Sequence, residues 1–134
     1  MRRLIPLAAA LALSGCATTP ESTCPADFGS FFARFSEDVA FQREFTSPTV
    51  VTTDYDPAGT PETTVARKPK TELSYPVVPN GRERAAERMR MKTEAQGQRT
   101  RVTLSLPDSD AFMVTYEFER RGCWALVRVE DQSI

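Results

Sequence analysis

Histidine is absent from this 134-residue sequence. Its absence removes the commonest general base and the commonest metal ligand at neutral pH. A serine–histidine–aspartate triad is therefore impossible, however many hydroxyls the chain carries. Charge of one sign is also lacking: 17 Lys and Arg stand against 18 Asp and Glu, a formal net charge of -1. That balance excludes a strongly basic nucleic-acid binder. Long apolar runs are missing as well. The uncharged apolar stretch at residues 4–13 has ten residues, whereas a bilayer span needs about 20. The length suits one domain.

What is present begins with an address. Residues 1–16 read MRRLIPLAAALALSGC, a positive start at Arg2 and Arg3, a short apolar core and then small residues. This is the pattern of a secretory signal peptide, expected to occupy residues 1–15. Leu13-Ser14-Gly15-Cys16 resembles the lipobox of bacterial lipoproteins. The resemblance implies a diacylglyceryl group on the Cys16 thiol, cleavage just before Cys16, and acylation (palmitate, for example) of the freed amine. An ordinary signal peptide with a chance Cys is the alternative. Two acyl chains make attachment stable, at about 0.8 kcal/mol per buried methylene. Ala17, rather than Asp, follows the Cys; by the sorting pattern of such lipoproteins this implies the outer membrane, facing the periplasm. Residues 16–23 are expected to be a lipidated flexible tether of small and polar residues.

Removing residues 1–15 leaves 15 basic against 18 acidic side chains, so the remaining chain is acidic. It holds four Leu and one Ile but eight Phe and ten Val. Such a core rests on Phe, each ring burying about 150–250 Å², and on Val, which favours strands. Of the three Cys, Cys24 and Cys123 remain once Cys16 is assigned to lipid. In an oxidising compartment they read as one disulfide, with two free buried thiols as the alternative.

The clearest helical segment is residues 27–45. Phe28, Phe31, Phe32, Phe35 and Val39 share one helical face. Asp27 suits the N-cap, and Ser36-Glu37-Asp38 predicts a bend followed by a second short helix. Residues 47–55 and 62–67 read as strands around an Asp56–Pro61 turn, and residues 68–78, with Pro69 and Pro76, as a loop or edge strand. Residues 80–90 are predicted as a short basic helix capped by Asn80, and residues 89–95 as a strand. At the C-terminal end, Val102, Leu104 and Leu106 alternate with polar residues, as do Phe112, Val114, Tyr116 and Phe118. A final strand at residues 123–130 is apolar on both faces, which predicts a central, covered position. Three antiparallel strands thus form a C-terminal meander. Helices segregated to one face of a curved antiparallel sheet make an α+β fold, here a single domain over residues 24–134.

Two segments carry a family resemblance. Phe28-x-x-Phe31, Phe35, Asp38 and Phe41-Gln42 form the first. Val114-Thr115-Tyr116-Glu117-Phe118, Cys123-Trp124-Ala125-Leu126 and Glu130-Asp131-Gln132-Ser133 form the second. Together they resemble a group of bacterial secreted lipoproteins related to the NTF2-like (cystatin-like) superfamily. The resemblance implies N-terminal helices wrapped by a curved sheet, the NTF2-like cone. NTF2-like enzymes carry acid–base pairs of Asp, Tyr or His inside that cone. The cone-facing positions assigned here are Phe and Val, so no catalytic residue and no cofactor is expected.

Other constellations are weaker. Asp54-Tyr55-Asp56-Pro57-Ala58-Gly59 begins like an EF-hand loop, but Val65 stands where the loop needs a bidentate Glu, so a turn is expected. Asp108 and Asp110 likewise fit a hairpin turn. A Ser–Lys dyad has no motif to place it. Arg82, Arg84, Arg88 and Arg90 could form a partner-contacting patch for acidic lipid heads or an acidic protein, or a solvated mixed-charge face. The expected function is a lipid-anchored, non-enzymatic binding or structural module of the bacterial envelope. It would be held to the membrane by its N-terminal lipid and face a protein or envelope partner. An immunity or inhibitor lipoprotein against a periplasmic toxin or hydrolase is the alternative, and an NTF2-like enzyme the last. Nothing in the sequence fixes an oligomeric state.

Overall fold

The computed structural model describes Gly15 and residues 23–134. The expected signal peptide, the expected lipidation site at Cys16 and the expected tether lie, apart from Gly15 and Thr23, outside the described residues. The order is α1 (Phe28–Glu37), α2 (Val39–Glu44), β1 (Thr46–Tyr55), β2 (Thr63–Pro69), a 3-10 turn (Lys70–Glu72), α3 (Gly81–Ala86), β3 (Arg90–Gln96), β4 (Arg99–Ser105), β5 (Met113–Arg121) and β6 (Cys123–Asp131).

The helices start and stop where their capping chemistry dictates. Asp27 accepts the Ser30 N–H at 2.8 Å and caps α1. Asp38 ends α1 in extended backbone and caps α2 by accepting the Phe41 N–H at 3.1 Å. That break corrects one expectation. A continuous helix would have placed Val39 on the Phe stripe. The kink at Asp38 turns Val39 outward, 39% exposed, and brings Phe41 and Gln42 into the interior instead. Asn80 and Glu83 form a reciprocal capping box on α3. α3 ends at Ala86, with Arg88 in left-handed backbone (φ 54°), so Arg90 belongs to β3 rather than to the helix.

The six strands form one sheet in the order β2-β1-β6-β5-β4-β3. Gly97 and Gly122, at φ 60° and 74°, turn the β3–β4 and β5–β6 hairpins. The meander runs through four strands, β3 to β6, because residues 90–96 pair with β4 and extend the three expected. One pair is parallel, β1 with β6. Where β1 begins beside β6, the Leu126 N–H donates to the Phe45 carbonyl at 2.9 Å. β6 is central, as its two apolar faces predicted. The expected cover is found on one face only: Trp124 and Leu126 are buried on the helix side, while Ala125 and Val127 are half-buried on the other, which no helix among the described residues covers.

The helix side is closed by rings. Phe31, Phe32, Phe35 and Phe41 pack with Val102, Leu104, Val114, Tyr116, Phe118, Trp124 and Leu126 in one buried cluster. Phe118 lies at its centre, 5.2–6.0 Å from the ring centroids of Phe28, Phe31, Phe32 and Phe35. Cys24 and Cys123 are disulfide-bonded, with Cα atoms 5.8 Å apart and 99 positions between them in sequence. The bond ties the segment entering α1 to the start of β6. Phe118→Ala is expected to lower stability by about 3–5 kcal/mol, read from the urea midpoint at unchanged slope. A loss below about 1 kcal/mol would show that the rings do not depend on Phe118.

Candidate functional site

Alternation along β1 sends Val50, Thr52 and Asp54 to the helix side of the sheet. The parallel register sets Thr52 beside Val129 and Asp54 beside Asp131. Here the ring cluster ends and a cleft of about 310 Å³ opens, lined by Thr52, Asp54, Leu73, Ser74, Val77 and Asp131, among others. Its roof is the segment after the 3-10 turn, and buried polar groups hold that roof in place. The Gln42 side chain is fully buried. Its Nε2 donates to the Val78 carbonyl at 3.1 Å, and its Oε1 accepts the Val77 N–H at 2.8 Å. The Tyr116 hydroxyl donates to the Val77 carbonyl at 3.0 Å. Burial, and then the negative charge of Asp131, push the Tyr116 phenol far above its ordinary pKa. The protonated phenol is the donor that the Val77 carbonyl requires.

Within the cleft, an Asp131 carboxylate oxygen accepts the Ser133 N–H at 3.0 Å, while Asp54 is exposed. The Thr52 hydroxyl is buried and has no hydrogen-bond partner among the described residues. No group of three metal-ligating side chains forms among the described residues. The cleft offers a mild acidic rim over an apolar floor. Asp54 and Asp131 were not singled out as a pair from the sequence. The alternation Val50, Thr52, Asp54 carried a signal for one of them, but the parallel register that brings Asp131 alongside is not readable from spacing.

The opposite side of the sheet is polar. One register row crosses all six strands: Glu94, Arg101, Glu117, Arg128, Val51 and Arg67. Glu117 is nearly buried in that row, its carboxylate 2.5 Å from Arg99 and 3.6 Å from Arg101. Glu119 lies 2.9 Å from Arg121 and 3.7 Å from Arg99. The Arg121 hydrogen bond, helped by the charges of Arg121 and Arg99, holds the Glu119 carboxyl below the usual carboxylate range. Two irregularities open a groove here. β1 shifts register between Thr46 and Val51, and β6 carries an extra residue at Val127, opposite the β5 shift between Glu117 and Phe118. The groove has a volume of about 350 Å³, is lined wholly by strand residues, and includes the hydroxyl residues Ser47 and Thr49.

The four basic positions singled out in the sequence separate. Arg84 turns inward, donating to the Pro79 carbonyl at 2.6 Å and covering the Phe32 ring at 5.5 Å. Arg82 and Arg88 are exposed around α3, and Arg90 stands at the outer edge of the sheet on β3. The arginines that do converge are Arg67, Arg99, Arg121 and Arg128. None of these four was singled out in the sequence, where they lie on separate segments. The Asp54–Gly59 segment is a turn: Asp56 accepts the Ala58 N–H through its side chain at 3.0 Å and the Gly59 N–H through its carbonyl at 2.9 Å.

No family model and no curated protein matches the sequence. Among solved structures, the chain is similar to an NTF2-like protein from Bacteroides fragilis NCTC 9343. The TM-score is 0.60 at 21% identity, over 85% of this chain and 50% of that one. The chain thus spans half the length of that structure, and what the likeness gives is the fold: α+β, NTF2-like, with an unclosed curved sheet of six strands.

Tyr116→Phe removes the donor to the Val77 carbonyl. It is expected to cost about 1–3 kcal/mol at neutral pH, since a buried acceptor is left unpaired. Because the folded phenol titrates above the unfolded one, its contribution is complete below about pH 10 and is lost as pH rises further. Denaturation followed from neutral to alkaline pH should show a steeper loss for the parent chain than for Tyr116→Phe. Parallel curves would contradict the buried, neutral phenol.

Proposed function

We propose that the chain is a lipid-anchored, non-catalytic binding module of the bacterial cell envelope. It would be tethered through Cys16 to the periplasmic side of the outer membrane. The single observation that supports a binding rather than a catalytic role is the filled cone. Where an NTF2-like enzyme would hold substrate, this sheet and its helices hold the packed rings of Phe31, Phe35, Phe41, Phe118 and Tyr116. The one polar phenol in that space is committed to the Val77 carbonyl. Fold alone does not decide activity, so the reading rests on that interior.

The anchor reading is carried by Leu13-Ser14-Gly15-Cys16 behind a ten-residue apolar core. The Cys24–Cys123 disulfide is consistent with an oxidising compartment. The described residues contain no helix long and apolar enough to cross a membrane, and a lipid at Cys16 would supply attachment without one. The folded part would then need no membrane-inserting surface of its own.

The test is expression of the full chain with its leader in a Gram-negative host. Membranes would be fractionated and the N-terminal peptide read by mass spectrometry. The expected product begins at Cys16, carries acyl chains and sediments with the outer membrane, and Cys16→Ser is released from the membrane fraction. A mature N-terminus at any other residue, or an unacylated Cys16, would overturn the anchor.

A further inference from the structure

We propose that the outer-face groove is a binding site for a doubly charged phosphate group, held by Arg67 and Arg128 with Arg99 and Arg121 at one end. The groove brings four guanidiniums against two carboxylates, Glu117 and Glu119. The excess is two positive charges, on a domain whose chain is acidic once its leader is removed. A phosphate monoester carries close to two negative charges at neutral pH, which matches that excess. A lone carboxylate would neutralise half of it.

The arginines are unequally committed. Arg99 and Arg121 are engaged with Glu117 and Glu119 at 2.5 and 2.9 Å. Arg67 is exposed and makes no ion pair among the described residues. Arg128 reaches only Glu130, at 3.8 Å, which is too long for a hydrogen bond. Arg67 and Arg128 flank Val51 in the same register row, one on each side of β1. Adjacent strands are about 4.8 Å apart, so the two guanidiniums stand across roughly 10 Å of backbone and their long side chains can close on one anion from both sides. Arg presents paired N–H donors that match phosphate oxygens. The bulge at Val127 and the irregular stretch of β1 give this face a recess rather than a flat sheet. Electrostatics and shape therefore fall at the same place, and the helix-side cleft shares none of these residues.

The test is calorimetric titration of the full chain, in detergent, with inorganic phosphate against chloride at matched ionic strength. Dihexanoyl phosphatidic acid, a monoester headgroup on short chains, is titrated in parallel. Phosphate is expected to bind above the chloride background, with affinity falling about tenfold in Arg67→Gln and in Arg128→Gln. Glu119→Gln, which frees Arg121 and raises the excess charge, is expected to tighten binding. That gain cannot come from misfolding. Phosphatidic acid binding tighter than phosphate through the same arginines assigns the site to lipid headgroups; equal or weaker binding assigns it to free phosphate. No binding above chloride, or binding unchanged by Arg67→Gln and Arg128→Gln, would overturn the proposal.

Discussion

Everything in this domain hangs on the contact between the α1 phenylalanine stripe and Phe118. Phe28, Phe31, Phe32 and Phe35 reach Phe118 from one helix, and that ring projects from β5, which pairs with β4 on one side and central β6 on the other. With four Leu and one Ile beyond residue 15, the chain has little branched aliphatic material to fill gaps, so edge-on rings do that work. The disulfide fixes the same contact from outside, joining the segment before α1 to the first residue of β6. In the chain-entropy description, a closed loop of that size stabilises the fold by about 4–5 kcal/mol.

From that contact follows the division of the sheet into two unlike faces. The helix side is spent on packing. Where the rings stop, Gln42 and Tyr116 pin the segment at Val77 and Val78 over the end of the cone, leaving only a modest cleft beside Asp54 and Asp131. The other side carries no helix among the described residues and is organised instead by ion pairs that run along and across strands. Glu117 is nearly buried, but the arginines of these pairs are exposed, so solvent screens the pairs and each stabilises the fold only modestly. Their arrangement is better understood as holding guanidiniums in fixed places than as holding the fold together. Backbone irregularity in β1 and β6 then shapes the recess into which those guanidiniums point.

The local part of this architecture was legible in the sequence. The Phe stripe, the Asp27 and Asn80 caps, the turn at Asp56–Pro61, and the central position of residues 123–130 each follow from a pattern shorter than one element. So does the break before Asp38, although its consequence for Val39 was missed: the apolar spacing continued while the helix did not. What spacing could not reveal was register. The parallel pairing of β1 with β6 joins residues about 80 positions apart in sequence. Only that pairing puts Asp54 beside Asp131, and Arg128 one strand from Arg67 on the far side of Val51. The sequence drew attention to the dense run Arg82–Arg90 because its basic residues are neighbours in the chain. Folding scatters them, with Arg84 turned onto Phe32, and assembles a different set from four separate strands. Gln42 figured only in the family resemblance, and its role was hidden for a related reason, since its partners lie 35 and 36 residues away.

The proposed absence of catalysis inside the cone stands or falls on whether that interior is full. Xenon enters dry apolar cavities that side chains leave empty, so diffraction from a xenon-pressurised crystal reads the point directly. The expected result is no xenon between α1 and strands β5 and β6, with any bound atom confined to the surface clefts. A well-occupied xenon between Phe118 and the rings of Phe31 and Phe35 would reveal an empty space in the cone and contradict the reading of this protein as a solid-cored module that works from its outer face.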